Sequence, residues 1–392
     1  MEQTWRWFGP DDPVSLENIV QAGATGVVTS LHHVPTGAAW PLEEIFERKS
    51  QIESHGLKWS VVESIPLHND LKTRAGNYRE LLENYKTSVR NVGAAGVEVV
   101  CYNFMPVVDW TRTNLNYQLP NASEALRFEM TDFAAYDVYM LERENAEADY
   151  SPAVLSHARQ RFEAMGDEER GLLEKNIIAG LPGGEGSYDR EGIRRAIAEF
   201  IALGNEGMRA NLFAFLEEVI PVAEDAGVRM CIHPDDPPFS LFGLPRVVST
   251  ADDARALMSA VPSTSNGLTL CAGSFGARAD NDLIGMVREF GPEIHFVHLR
   301  NVRREPDGSF FESDHLDGDN DMVGLVGALL DEEARRKDEG RRVRIPMRPD
   351  HGHLLDSESA TEGVNPGYSY AGRMKGLAEL RGVICALEAL RA

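Results

Sequence analysis

Four residues of metal-binding type stand one each at the ends of four successive strand-like runs. They are His233 in VRMCIHPDD, Cys271 in GLTLCAGSFG, His298 in IHFVHLRN and Asp350 in RVRIPMRPDHGH. Two neutral imidazoles, a thiolate and a carboxylate form a mixed donor set suited to a borderline divalent ion such as Mn²⁺, Fe²⁺ or Zn²⁺. Closed structural zinc sites use paired short Cys spacings, which this chain lacks. Ligands that arrive singly from different strands point instead to a catalytic centre with a position open to substrate. Each residue alone has a plainer explanation. A His at a strand end serves hydrogen bonding, and Asp350 suits a helix N-cap. Cys271 suits a small buried hydrophobe, as Cys101, Cys231 and Cys385 are expected to be. Their occurrence at four consecutive strand ends is what carries the metal reading.

Other polar groups cluster at the same ends. His351 and His353 follow Asp350, Arg300 and Asn301 follow His298, and Asp235 and Asp236 follow His233. A His beside a metal ligand is placed for general acid–base work, because its pKa lies near working pH; His353 reads as support or as a loop residue. The ends of the second to fourth runs add His32, His33, Glu63, Ser64, Asn103 and Asp109 with Arg112. Part of this ring, with His32, Asn103, Arg300 and Asn301 as the chosen candidates, should bind substrate hydroxyls or a carboxylate, for which Arg offers a bidentate fork.

The elements that must bring these residues together are eight β-rich runs: 4–9, 25–33, 57–65, 97–104, 228–234, 268–273, 294–300 and 343–349. Several are almost continuously apolar, as strands buried on both faces are. Amphipathic stretches such as PLEEIFERKSQIESHG and NLFAFLEEVIPVAEDAG separate them, several ending in Gly as helix C-termini often do. Eight such units predict a (β/α)8 TIM-type barrel, whose C-terminal strand edges share one rim. A doubly wound sheet would need a Gly-rich turn after the first strand, and RWFGPDDP is not one. The period breaks once. About 120 residues separate the fourth and fifth runs, so the single catalytic domain of 1–392 is expected to carry a helical insertion at about 105–190. Within it 120–147 and 151–178 read as charged helices followed by a GLPGGEGSYD turn, and 331–342 reads as a solvated helix face.

With 39 basic and 62 acidic residues the net charge is −23, which disfavours nucleic acid and anionic membranes as partners. No apolar run of about 20 residues and no secretory leader pattern is read, and the four cysteines show no framework spacing. A reduced, cytoplasmic protein is expected, with a dimer as the favoured homo-oligomer. No phosphate loop is present, so no organic cofactor is expected.

Long stretches resemble the mannonate dehydratase family: RWFG (6–9), VVTSLHHVPTG (27–37), WSVVESIPLH (59–68), VCYNFMPVVDWTRT (100–113), CIHPDDPP (231–238), HFVHLRN (295–301), HLDGD (315–319), RPDHGH (348–353) and NPGYSYAGR (365–373). The resemblance implies a xylose-isomerase-like barrel that needs Mn²⁺ or Fe²⁺. Its ligand set of two His, a Cys and an Asp falls on His233, Cys271, His298 and Asp350. It implies an acid–base pair of His351 and Tyr368, with Tyr370 close by in the same loop. The implied reaction is loss of water from the sugar acid D-mannonate, giving 2-dehydro-3-deoxy-D-gluconate in glucuronate breakdown. Two other classes compete. A metal-dependent aldose–ketose isomerase would rely on several carboxylate ligands, whereas this set has one. A sugar-acid sensor would not need an acid–base pair. Gluconate and altronate remain alternative substrates.

Overall fold

The computed structural model describes residues 1–178, 189–341 and 344–391. The barrel strands are β1 (Glu2–Arg6), β2 (Gly26–Thr29), β3 (Lys58–Glu63), β4 (Val99–Tyr102), β5 (Arg229–Ile232), β6 (Asn266–Cys271), β7 (Ile294–His298) and β8 (Pro346–Arg348). Each pairs in parallel with its chain neighbours, and β8 pairs with β1 to close the ring. Every strand overlaps its expected run. The last is shorter than 343–349; Val343 lies outside the described residues. A small apolar plug of Val28, Val61, Val99, Cys101, Cys231 and Phe296 fills the barrel interior. It is the packed layer beneath the C-terminal rim.

Helices cover the outside, and their starts are encoded locally. Ser15 with Asn18 and Thr250 with Asp253 form capping boxes, each satisfying amide groups that the first helical turn leaves free. The helix Arg190–Asp225 is broken by Gly204 at φ 67°, a conformation glycine adopts without the Cβ clash. Its Phe215 packs on Tyr85, Tyr102 and Phe104 at ring separations of 5.2–5.9 Å, joining it to the wall around β4.

The segment after β4 is not wholly helical. The stretch 120–147, expected as a helix, begins with the strand Glu124–Phe128, which pairs with Asn114–Gln118 across the PNAS turn. That strand pairs on its other edge with Phe310–Ser313, which pairs in turn with Asn301–Arg304. Sheet pairing on both edges outweighs the helical propensity of EALRF. Helices follow at Met130–Ala135, Pro152–Ala164 and Asp167–Ile178. Residues 180–188 of the GLPGGEGSYD turn lie outside the described residues. The result is a four-stranded antiparallel ribbon assembled from two excursions of the barrel, one after β4 and one after β7.

Two further expectations change. Cys385 is exposed on the closing helix Tyr370–Arg391, while Cys101, Cys231 and Cys271 are buried. The face 331–342 is not simply solvated, because Glu332, Glu333 and Arg336 are buried in it. Arg336 Nε donates to Glu332 at 2.7 Å and its NH2 donates to the Ile294 carbonyl at 2.7 Å, tying the helix to the start of β7. Charged residues go inside where each hydrogen-bonding group finds a partner. Arg342 lies outside the described residues.

Candidate active site

Strand length and register set the four candidate ligands. Cys271 and His298 end β6 and β7, which pair at that residue. His233 follows β5 by one residue and Asp350 follows β8 by two. One ligand atom each from His233, Cys271 and His298 lie within 4.8 Å of one another. Asp350 Oδ2 stands 3.8 Å from the Cys271 sulfur and 3.7 Å from His298 Nδ1.

The chemistry of this cluster fits a metal ion. His298 is fully buried, yet its ring nitrogens make no well-aligned hydrogen bond, facing only the carboxylates of Glu63 at 3.4 Å and Asp350 at 3.7 Å. Such orphaned polar atoms are costly unless something else satisfies them. His233 Nδ1 lies 2.7 Å from its neighbour's carbonyl, at Pro234, which assigns its hydrogen there and leaves Nε2 as a lone-pair donor. Burial lowers the His233 pKa, against the pull of Glu63, Asp236 and Asp350, which keeps the imidazole in its ligating form.

Asp350 sits at φ 69°, in the left-handed region that an L-residue seldom occupies. Two arginines hold it there. Arg348 NH1 donates to Oδ1 at 2.5 Å and Arg300 Nε to Oδ2 at 2.6 Å. Burial raises the Asp350 pKa, but Arg348, His351, His298 and Arg300 more than reverse it, so the carboxylate stays ionised. Gly273 makes room for Arg300, since a Cβ there would stand 2.3 Å from Arg300 Cγ. Arg300 also binds Asp236 and reaches Glu312 at 3.2 Å. Arg112, wholly buried, binds the same two carboxylates at 2.9 and 2.8 Å.

Beside this cluster lies the second feature. His351 Nδ1 is 2.7 Å from Glu312 Oε2, and His351 Nε2 is 3.3 Å from the Tyr368 hydroxyl. Backbone pairing of Gly352 with the 365–368 turn sets this approach. Gly367 is required in it, at φ 81° and with His351 Cβ only 3.3 Å from where its own Cβ would be. Burial raises the Tyr368 pKa, so the phenol is a proton donor at neutral pH. Tyr370 instead opens the closing helix with its ring 5.8 Å from Trp5, and does not line the cleft.

The cleft at the rim is lined by His32, Asn103, His233, Arg300, Asp350, His351 and Tyr368, among others. Cys271 and His298 are buried and are not among its lining residues. Asn301 is not brought there. Its amide donates to the carbonyls of His315 and Asn320, and its oxygen accepts from two backbone amides, which makes it a clamp of the loop after β7. Arg300 reaches the cleft, but its guanidinium is spent on three carboxylates. His33 pairs with Glu44 in solvent. His353 braces the Glu312 carbonyl at 2.9 Å. His32 is a neutral imidazole with no hydrogen-bond partner, its pKa driven to about 3 by burial and then by Arg6 and Arg48.

Glu312 and Arg348 were not singled out from the sequence. Glu312 lies between β7 and β8 in a segment with no expected strand. Arg348 sat unremarked in RPDHGH, although its position two residues before Asp350 puts it at the same rim.

Comparison with known proteins bears directly on this arrangement. The sequence profile described as D-mannonate dehydratase (UxuA) matches residues 1–392. A mannonate dehydratase of Saccharophagus degradans is 72% identical over 392 residues, covering 100% of this chain and 99% of the relative. The chain belongs to the D-mannonate dehydratase family. It is therefore a hydro-lyase, an enzyme that cleaves carbon–oxygen bonds with release of water. The crystal structure of a mannonate dehydratase from Streptococcus suis serotype 2 matches with a TM-score of 0.75 at 34% identity, covering 100% of this chain and 94% of that one. The D-psicose 3-epimerase of Clostridium cellulolyticum H10 shares the fold alone, with a TM-score of 0.52 at 11% identity over 98% of this chain and 99% of that one. In this dehydratase no helix of the described residues is long and apolar enough to cross a membrane.

Proposed function

We propose that the chain converts D-mannonate into 2-dehydro-3-deoxy-D-gluconate and water with the help of Mn²⁺ or Fe²⁺, as a cytoplasmic step of glucuronate catabolism. The observation that carries this reading is the contact of two proton-transfer groups, His351 Nε2 and the Tyr368 hydroxyl, beside the convergent donor atoms of His233, Cys271 and His298. A divalent ion held by those three residues and Asp350 supplies, when bound, a Lewis acid for the substrate's oxygens. The difficult proton is the one on C2, weakly acidic beside a carboxylate. One member of the His351–Tyr368 pair removes it and the other protonates the departing C3 hydroxyl. The C2–H electrons become the C2–C3 double bond as C3–O breaks, and the resulting enol relaxes to the 2-keto acid. Positioned groups of this kind contribute on the order of 10²–10⁴-fold each. His32, a neutral hydrogen-bonding group that shares the Phe8 ring with Tyr368, and Asn103 meet substrate hydroxyls in the cleft.

The test is product formation by chelator-stripped protein with and without added Mn²⁺ or Fe²⁺, on D-mannonate, D-gluconate and D-altronate. A 2-keto-3-deoxy acid formed only with metal and only from D-mannonate is expected. Turnover without any metal, or preference for either control acid, would overturn the reading.

A further inference from the structure

We propose that Glu312 is a positioning residue of the acid–base pair, fixing the tautomer of His351 and being itself delivered by the ribbon. This rests on the dehydratase reading above. Glu312 lies on the strand Phe310–Ser313, which the excursion after β4 pins in place through the register Phe310 with Phe128 and Phe311 with Arg127. Its side chain is buried and its two oxygens have different partners. Oε1 receives Arg112 at 2.8 Å and Arg300 at 3.2 Å, while Oε2 lies 2.7 Å from His351 Nδ1. An ionised carboxylate only accepts hydrogen bonds, so Nδ1 must carry a hydrogen. That leaves Nε2 as the working atom, turned to Tyr368 and the cleft. Burial pushes the Glu312 pKa up, but His351, Arg300 and Arg112 together bring it down to about 2, which keeps the acceptor ionised.

The replacement Glu312→Gln tests this sharply. Arginine side chains only donate, so the amide oxygen must face Arg112 and Arg300 and the NH2 group must face His351 Nδ1. The imidazole is then forced into the other tautomer, with hydrogen on Nε2. In the metal-loaded full chain, kcat is expected to fall on the order of 10²–10⁴-fold, with Mn²⁺ content unchanged and KM within roughly threefold. Glu312→Asp keeps the charge between the arginines but withdraws it from Nδ1 by one methylene. It should keep Mn²⁺ and lose at least about tenfold in kcat, and it decides the matter if the Gln variant does not fold. In a His351→Asn background, Glu312→Gln should cost less than about threefold more, because the group it positions is gone. Multiplicative losses in the double variant, loss of Mn²⁺ from both Glu312 variants, or near-normal kcat in either would overturn the proposal. An unsubstituted enzyme inactive on D-mannonate would instead sink the proposed function.

Discussion

Tyr368→Phe separates chemistry from architecture, because the structure isolates the hydroxyl from everything else the ring does. The ring packs edge-on against Phe8 at 4.8 Å and His351 at 4.9 Å, with the Arg373 guanidinium 5.3 Å from its centre. Phenylalanine keeps all three contacts. What goes is one oxygen with one hydrogen bond, to His351 Nε2 at 3.3 Å. A bond of this kind is worth about 0.5–1.5 kcal/mol net, and removing a buried hydroxyl returns part of its desolvation cost, so stability should move by less than about 1 kcal/mol. The rate should move far more. If Tyr368 transfers a proton in the transition state, kcat falls on the order of 10²–10⁴-fold, or about 2.7–5.5 kcal/mol of barrier. The assay is steady-state dehydration of D-mannonate by Mn²⁺-loaded protein, with metal content and Tm measured on the same preparation. Tyr370→Phe is the internal control. Its ring lies on Trp5 outside the cleft, and its kcat should stay within about twofold. A Tyr368→Phe enzyme with kcat within roughly threefold of the unsubstituted one would remove the phenol from the mechanism. Loss of activity in the Tyr370 variant alone would transfer the role.

Cys271→Ser should weaken Mn²⁺ binding at least about tenfold by equilibrium dialysis, since a neutral hydroxyl replaces a thiolate among the convergent donors; full metal content at unchanged free Mn²⁺ would make Cys271 structural. His32 tests the electrostatics through stability. Its pKa is about 3 in the folded chain against about 6.5 unfolded, so between those values the unfolded state binds the extra proton and acid destabilises the fold. His32→Phe should therefore lose stability less steeply than the unsubstituted chain as pH falls from about 6.5 towards 4, as read by urea unfolding; parallel curves would show that His32 is not held neutral.

The barrel and the convergence of His233, Cys271 and His298 at its rim were legible in the chain because both follow from local pattern. Apolar runs mark strands, and a residue at the end of a run must stand at the rim. The ribbon was not legible for the opposite reason. Glu124–Phe128 becomes a strand only because Asn114–Gln118 and Phe310–Ser313 flank it, and the second partner lies some 180 residues away in sequence. Glu312 was hidden with it, since nothing in FFESDH announces a strand or a site until the pairing is known. Asn301 shows the converse. Adjacency to a ligand strand suggested the cleft, but an amide side chain amid loop carbonyls is captured by the backbone first. The helix face 331–342 misled because charge pattern reports composition, while burial depends on tertiary partners: carbonyls at the foot of β7 for Arg336, Arg336 itself for Glu332, and the Met1 amino group and Ile345 amide for Glu333.

The charged lattice under the cleft needs its own physical reason. Arg112, Arg300 and Arg348 are buried with Asp236, Glu312 and Asp350, the half-buried Glu63 joining them, and such groups seldom stabilise a fold more than well-packed apolar residues would. Its value lies in orientation. Asp350 occupies a backbone conformation that costs about 1–3 kcal/mol, and Arg348 and Arg300 grip one carboxylate oxygen each. Arg300 continues to Glu312, and Glu312 to His351. The Asp350 carboxylate and the His351 imidazole are therefore held through one guanidinium. Asp350 and His351 are consecutive, so the backbone fixes their separation, and what Arg300 adds is side-chain direction: its displacement would release the Asp350 carboxylate and the Glu312 that holds His351 at once.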